Sequence, residues 1–240
     1  MVVFVAACLG FLGTGFYSYS RGVFLPALAE ELGDGSRFAI AMGFSVAGVT
    51  SAALAPFLGQ ILDKHSPRQV ILIGIGVVTA SYLLLANAEH LWQYFLIVGV
   101  GMGVGMATMG GLAWHRSVIS WFDHWRGRAI AIAVMGASLA GVMMPPLVTA
   151  LVAEVGWRGG YTAFAAVTGI TLFPLVWFFM KDRPEEIGEV RDGHRYVQAN
   201  STEAREDPAD ARAWHWKEML KAPPLWATEK CRKRSHRFGI

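Results

Sequence analysis

Six stretches of this chain run for at least 19 residues without Asp, Glu, Lys or Arg, and they decide most of what it can fold into. They are Val2–Ser20, Phe38–Leu62, Gln69–Ala88, Leu91–Trp114, Ala129–Ala153 and Gly159–Met180. About 20 apolar residues, coiled as a helix, cross about 30 Å of hydrocarbon. A soluble core accommodates one such helix; six in succession, separated by short polar joints, belong in a bilayer. There the backbone finds no water and must satisfy its own N–H and C=O groups, which selects the helix. The expectation is an all-α membrane protein, with six transmembrane helices over residues 1–180 and a charged cytoplasmic linker and basic tail over 181–240. The lipid bilayer is its first partner.

Charge narrows the reading further. Only 16% of the residues are charged, against about 25% in soluble domains. The net charge of +3 is small, and the basic residues sort by membrane side, so nucleic acid is not an expected partner. Cys8 and Cys231 form neither a disulfide framework nor a metal-binding spacing, and no metal or cofactor is expected. Val2–Ser20 is read as a span rather than a signal peptide. No Lys or Arg precedes it, and it exceeds the usual apolar core of about 7–15 residues. Because the chain opens inside an apolar helix, a slightly truncated start is expected.

The joints are Glu31–Arg37, Asp63–Arg68, Glu89–His90, His115–Arg128 and Glu154–Arg158. Lys64, Arg68, Arg116, Arg126 and Arg128 lie on the side shared by both termini, against Arg37 and Arg158 on the other. Cytoplasmic joints carry the excess of Lys and Arg, so both termini are placed in the cytoplasm. Glycines four apart, 99/103 and 101/105, and the pairs Gly136/Ala140 and Ala137/Gly141 give faces on which backbones can approach closely. Pro145 and Pro146 are expected to kink or loosen the fifth span.

Arg21 is the one charge well inside a span. Thr14, Tyr17, Ser18 and Arg21 recur at helical spacing, so they are expected to share a face. A guanidinium at the end of a polar stripe suits a small organic anion, held by two parallel hydrogen bonds. The alternative is an arginine that snorkels to the interface. Ser81, Tyr82, Thr108 and Ser138 are weaker candidates, read first as packing residues. His115 could carry a coupling proton, although a solvated interface histidine is the simpler reading. Trp92, Tyr94, Trp121 and Trp157 read as interface anchors. Enzyme motifs are missing from the sequence: it has no His-Glu-x-x-His, no phosphate loop ending in Lys-Ser/Thr and no paired Cys motif.

The joint Gly59-Gln-Ile-Leu-Asp63-Lys-His-Ser-Pro-Arg68 resembles the signature loop of the major facilitator superfamily. Gly59, Leu62, Asp63, Lys64 and Arg68 match. Ser66 replaces the usual Gly, and Pro67 stands where a basic residue is common, which should stiffen the turn. Trp121-Phe-Asp-His-Trp-Arg126-Gly-Arg128, Tyr19-Ser-Arg-Gly-Val-Phe-Leu-Pro26 and Gly156-Trp-Arg158 resemble the monocarboxylate and oxalate–formate branch. The resemblance implies six-helix halves that rock about a midplane site, and a secondary active transporter working by alternating access. It assigns Gly59, Asp63, Lys64, Arg68, Arg126 and Arg128 to gating, with Arg126 and Arg128 as cationic partners for Asp63. It covers roughly residues 1–190, the first half of the family's usual twelve spans. Trp214–Trp226 resembles the approach to a seventh span, after which no apolar run follows. A truncated or frame-shifted product is one expectation, and pairing with a second half or as a homodimer another. The solute would be a small organic anion, with proton coupling open. A non-transporting membrane remnant or interaction module is the alternative.

Overall fold

The computed structural model describes residues 2–33, 35–122 and 125–180, with only the backbone of Arg126. The linker and tail expected over 181–240, including Trp214–Trp226, lie outside these residues. The regular elements among the described residues are all helices, with no strand among them.

Five helices are long and apolar enough to cross a membrane: Val2–Glu31, Arg37–Lys64, Pro67–Ala86, Leu91–Trp121 and Gly127–Phe179. The last has 53 residues, about 80 Å at 1.5 Å per residue, far more than one crossing needs. It turns at Gly156, where φ is +72° and ψ is 175°. A side chain disfavours such a φ, so glycine is the residue suited to reversing the chain here. The contacts on either side of Gly156 show the reversal. Before it, Gly136 packs on Ala7, and Gly141 lies against Tyr19. After it, Tyr161 stacks on Phe24 and Phe164 on Phe16, so the chain descends along the first helix again. The fifth and sixth expected spans are thus the two limbs of one element, residues 127–155 and 157–179. Pro145 and Pro146 lie within the first limb, and the helix runs on through them. No residue at these prolines leaves helical geometry, and the reversal at Gly156 falls within the joint expected over Glu154–Arg158.

Local chemistry explains where the helices start. Ser36 Oγ accepts from Ala39 N at 3.3 Å and caps the second span. Ser66 Oγ accepts from Gln69 N at 3.4 Å, with Pro67 at the first turn. The two departures from the signature loop therefore form the N-cap and first turn of the third span, where hydroxyl and proline are both favoured.

Small residues set the packing. Gly99 and Gly103 lie against Val46, Ala47 and Thr50 of the second span. Gly101 and Gly105 lie against Ser81 and Val78 of the third. Each four-residue pair thus serves one neighbour. The outward faces stay apolar: Phe38, Val49, Val142 and Ile170 are each at least 70% exposed. In water that surface would be costly; in lipid it is matched by the solvent.

Candidate functional site

The first span does not keep one helical repeat. Gly10–Tyr19 is π-helical, and α-helix resumes at Arg21–Glu31. Ser20 Oγ donates to the Gly15 carbonyl at 3.1 Å, five residues back. Such wide turns are rare and occur often at functional sites. Arg21 follows this seam directly. Its Nε donates to the Tyr17 carbonyl at 2.9 Å. Its guanidinium carbon lies 4.0 Å from the centroid of the Tyr17 ring and 4.9 Å from that of Phe44.

Arg21 borders a cavity of about 470 Å³, a size typical of small-molecule sites. Tyr17 and Ser18 line it from the first span, Phe44, Gly48 and Ser51 from the second, and Gly110 from the fourth. At Gly110 the fourth helix breaks, with ψ of −172°, and restarts as Gly111–Trp121. Aromatic side chains wall a second, smaller space beside Arg21. Phe16, Phe24, Tyr82 and Tyr161 leave about 10 Å³ there, room for no more than about one water. Arg21 borders both spaces, and of the two the larger has room for a solute. A cation within a span is costly unless it faces a cavity or a partner; the cavity and the two ring faces supply both.

Three of the four expected pathway residues, Tyr17, Ser18 and Arg21, line this cavity, and Thr14 does not. Ser81, Thr108 and Ser138 donate to helix carbonyls three or four residues back, as packing residues do. His115 packs beside Trp114, 3.9 Å between ring centroids.

At the far end of the bundle, Asp63 pairs with Arg116 at 2.5 Å, and both side chains are largely exposed. Arg116 had been read from sequence only as an orientation charge. Arg68 Nη2 donates to the Trp177 carbonyl, and its guanidinium lies 5.0 Å from that ring. Arg68 of the signature loop thus touches the second limb, the sixth expected span. Gly59 is half-buried, and a Cβ there would meet none of the described residues. Lys64 is exposed in the last turn of its helix. Arg128 stands over Trp125 at 4.3 Å; the side chain of Arg126 lies outside the described residues.

The opposite end carries a cluster that sequence reading missed. Arg158 Nη2 donates to Glu31 Oε1 at 2.8 Å and to the Ala88 carbonyl at 3.0 Å, and Nη1 donates to the Ala86 carbonyl at 3.1 Å. Trp157 Nε1 donates to Glu31 Oε2 at 2.5 Å. One arginine ties the ends of the first, third and sixth spans. The Gly156-Trp-Arg158 run held the signal, but nothing in it pointed to Glu31. Phe44 gave no signal at all, being one aromatic in an apolar run.

Comparisons with known proteins agree with this architecture. The family model described as Major Facilitator Superfamily matches residues 7–232. The chain is 26% identical over 178 residues to the uncharacterized MFS-type transporter YcxA of Bacillus subtilis (strain 168), covering 74% of this chain and 43% of that protein. It is 25% identical over 228 residues to a probable L-galactonate transporter of Escherichia coli (strain K12), covering 94% and 48%. It is 28% identical over 176 residues to the probable sulfoacetate transporter SauU of Cupriavidus necator, covering 69% and 38%. The chain thus spans under half the length of these relatives, which are transporters and not enzymes. With a family model matched over nearly its whole length, and helices long and apolar enough to cross a membrane repeatedly, the chain belongs to the major facilitator superfamily.

Proposed function

We propose that this chain forms the N-terminal half of the machinery of a secondary active transporter for a small organic anion, and that Arg21 is its anion-binding group. The observation that carries the reading is Arg21 itself, one cation within a span, bordering a cavity of about 470 Å³. Guanidinium binds carboxylate and sulfonate by parallel hydrogen bonds, and such bonds strengthen away from water. The names of two relatives support the same class, since galactonate and sulfoacetate are both small organic anions. Tyr17 and Ser18 are assigned to the same site, and Thr14 to its margin.

The solute-binding face is completed by a second half or a second copy of the chain. Both termini are assigned to the cytoplasm, on the excess of Lys and Arg at the Asp63 end. The Asp63–Arg116 pair, with Gly59, Lys64, Arg68, Arg126 and Arg128, is assigned to gating at that end. The quoted motifs favour the monocarboxylate and oxalate–formate branch.

The test is uptake of labelled galactonate and sulfoacetate into liposomes holding the reconstituted protein. Saturable uptake that is lost in Arg21→Ala and weakened in Arg21→Lys supports the assignment. Undiminished uptake in Arg21→Ala refutes it.

A further inference from the structure

Arg21 is held by more than its own helix, and the second holder stands on another span. Its Nε is committed to the Tyr17 carbonyl, and its Nη groups make no hydrogen bond among the described residues. The plane of the guanidinium must therefore be fixed by what it lies against, which is the rings of Tyr17 and Phe44. Phe44 is in turn fixed from the fourth span. Tyr94 meets it edge to face at 6.3 Å and 88°, and Tyr94 Oη donates to the Ile40 carbonyl at 2.7 Å, one turn before Phe44. Gly43 makes room for this arrangement: a Cβ there would come within 2.4 Å of the Tyr94 ring.

We infer that Phe44 is a positioning residue of the anion site, seating the Arg21 guanidinium so that its Nη edge is the face offered to the solute. This rests on Arg21 being the anion-binding group. The chemistry is that of a cation over a ring face, which fixes orientation as well as adding attraction. An arginine with Nε already occupied can grip a planar carboxylate or a sulfonate only end-on, through the two Nη groups. Without the Phe44 ring the guanidinium can swing about its stem and lose that alignment, while its charge stays in place.

The test uses the purified chain in detergent micelles, with galactonate and sulfoacetate as probes, and two readouts. The first is the Arg21 Hε resonance in protein labelled with ¹⁵N-arginine, assigned by its disappearance in Arg21→Lys. Ring faces displace that resonance, so Phe44→Leu should move it toward the position of a free arginine, and Phe44→Tyr should restore it. The second readout is the dissociation constant of each probe, which Phe44→Leu should raise by roughly three- to thirtyfold, again restored by Phe44→Tyr. An Arg21 resonance unmoved by Phe44→Leu overturns the seat whatever the binding data say. Binding that falls in Arg21→Ala but not in Phe44→Leu overturns it as well. Binding unaffected by Arg21→Ala would instead remove the anion-site assignment on which the seat depends. A far-UV circular dichroism spectrum unchanged in Phe44→Leu shows that these differences are not misfolding.

Discussion

Gly136→Ala should separate the first span from the fifth, although the change adds one methyl group and favours the helix locally. A Cβ at Gly136 would lie 2.1 Å from the Ala7 carbonyl oxygen, 2.8 Å from its carbon and 3.0 Å from its Cα. The best non-bonded carbon separations are about 3.5–4.0 Å, so the two helices must part by more than about 1 Å. All three obstacles are backbone atoms, which cannot rotate away. Overpacking of this kind costs about 1–3 kcal/mol, and the upper half of that range applies here. Against it stands the gain of up to about 1 kcal/mol from replacing glycine by alanine in a helix. The net expectation is a loss of about 1–2 kcal/mol, roughly 5- to 30-fold in the folded-to-unfolded ratio. Gly76→Ala is the matched control, because its Cβ would meet nothing within 4 Å; it should be neutral or stabilising. Denaturant unfolding in mixed micelles, followed by circular dichroism, compares the two directly. If Gly136→Ala unfolds with or later than Gly76→Ala, the two backbones are not in the contact described and the packing argument fails.

Three further outcomes follow from the same geometry. Gly156→Ala forces a side chain into positive φ with extended ψ, costing roughly 1–3 kcal/mol, and should slow disulfide formation between cysteines placed at Phe16 and Phe164; an unchanged rate means the turn does not depend on glycine. Arg158→Ala removes four hydrogen bonds to the ends of two other spans, so it should lower the thermal midpoint more than Glu31→Gln, which leaves the two carbonyl contacts in place; equal effects would mean that the carbonyl contacts contribute nothing. Asp63→Asn and Arg116→Gln should each change stability by no more than about 1 kcal/mol, the range for exposed pairs, and a charge swap, Asp63→Arg with Arg116→Asp, should restore what either single change loses in transport; failure of the swap would remove the pair from gating.

Sequence carried the spans because long uncharged runs have one inexpensive environment, and hydropathy reads that without knowing any contact. It carried the small-residue faces as well: the pairs 99/103 and 101/105 each serve a different neighbour, as their spacing requires. It failed where geometry departs from the regular helix. Nothing in it marked the π-helical stretch Gly10–Tyr19, and of the expected stripe Tyr17, Ser18 and Arg21 line the cavity while Thr14 does not. The prolines at 145 and 146 were the obvious kink signal, yet the helix runs on through them; the reversal at Gly156 lies in the joint Glu154–Arg158 that the sequence did mark. Partners across the fold were the least legible. The partner of Asp63 proved to be Arg116, and the link from Arg158 to Glu31 joins residues 127 positions apart. Each is an ordinary charged residue at a helix end, and only the packing of the spans selects the pair.

The charge of Arg21 acting on the cavity can be read with thiol reagents of opposite charge. Ser51, which lines the cavity, is changed to Cys with both native cysteines replaced by serine, and its reaction rates are normalised to a cysteine at the exposed Asn87. With Arg21 present, a sulfonate-bearing methanethiosulfonate should react faster than its trimethylammonium analogue, and Arg21→Gln should abolish the preference. Equal rates, or faster reaction of the cationic reagent while Arg21 is in place, would contradict an anion site in this cavity.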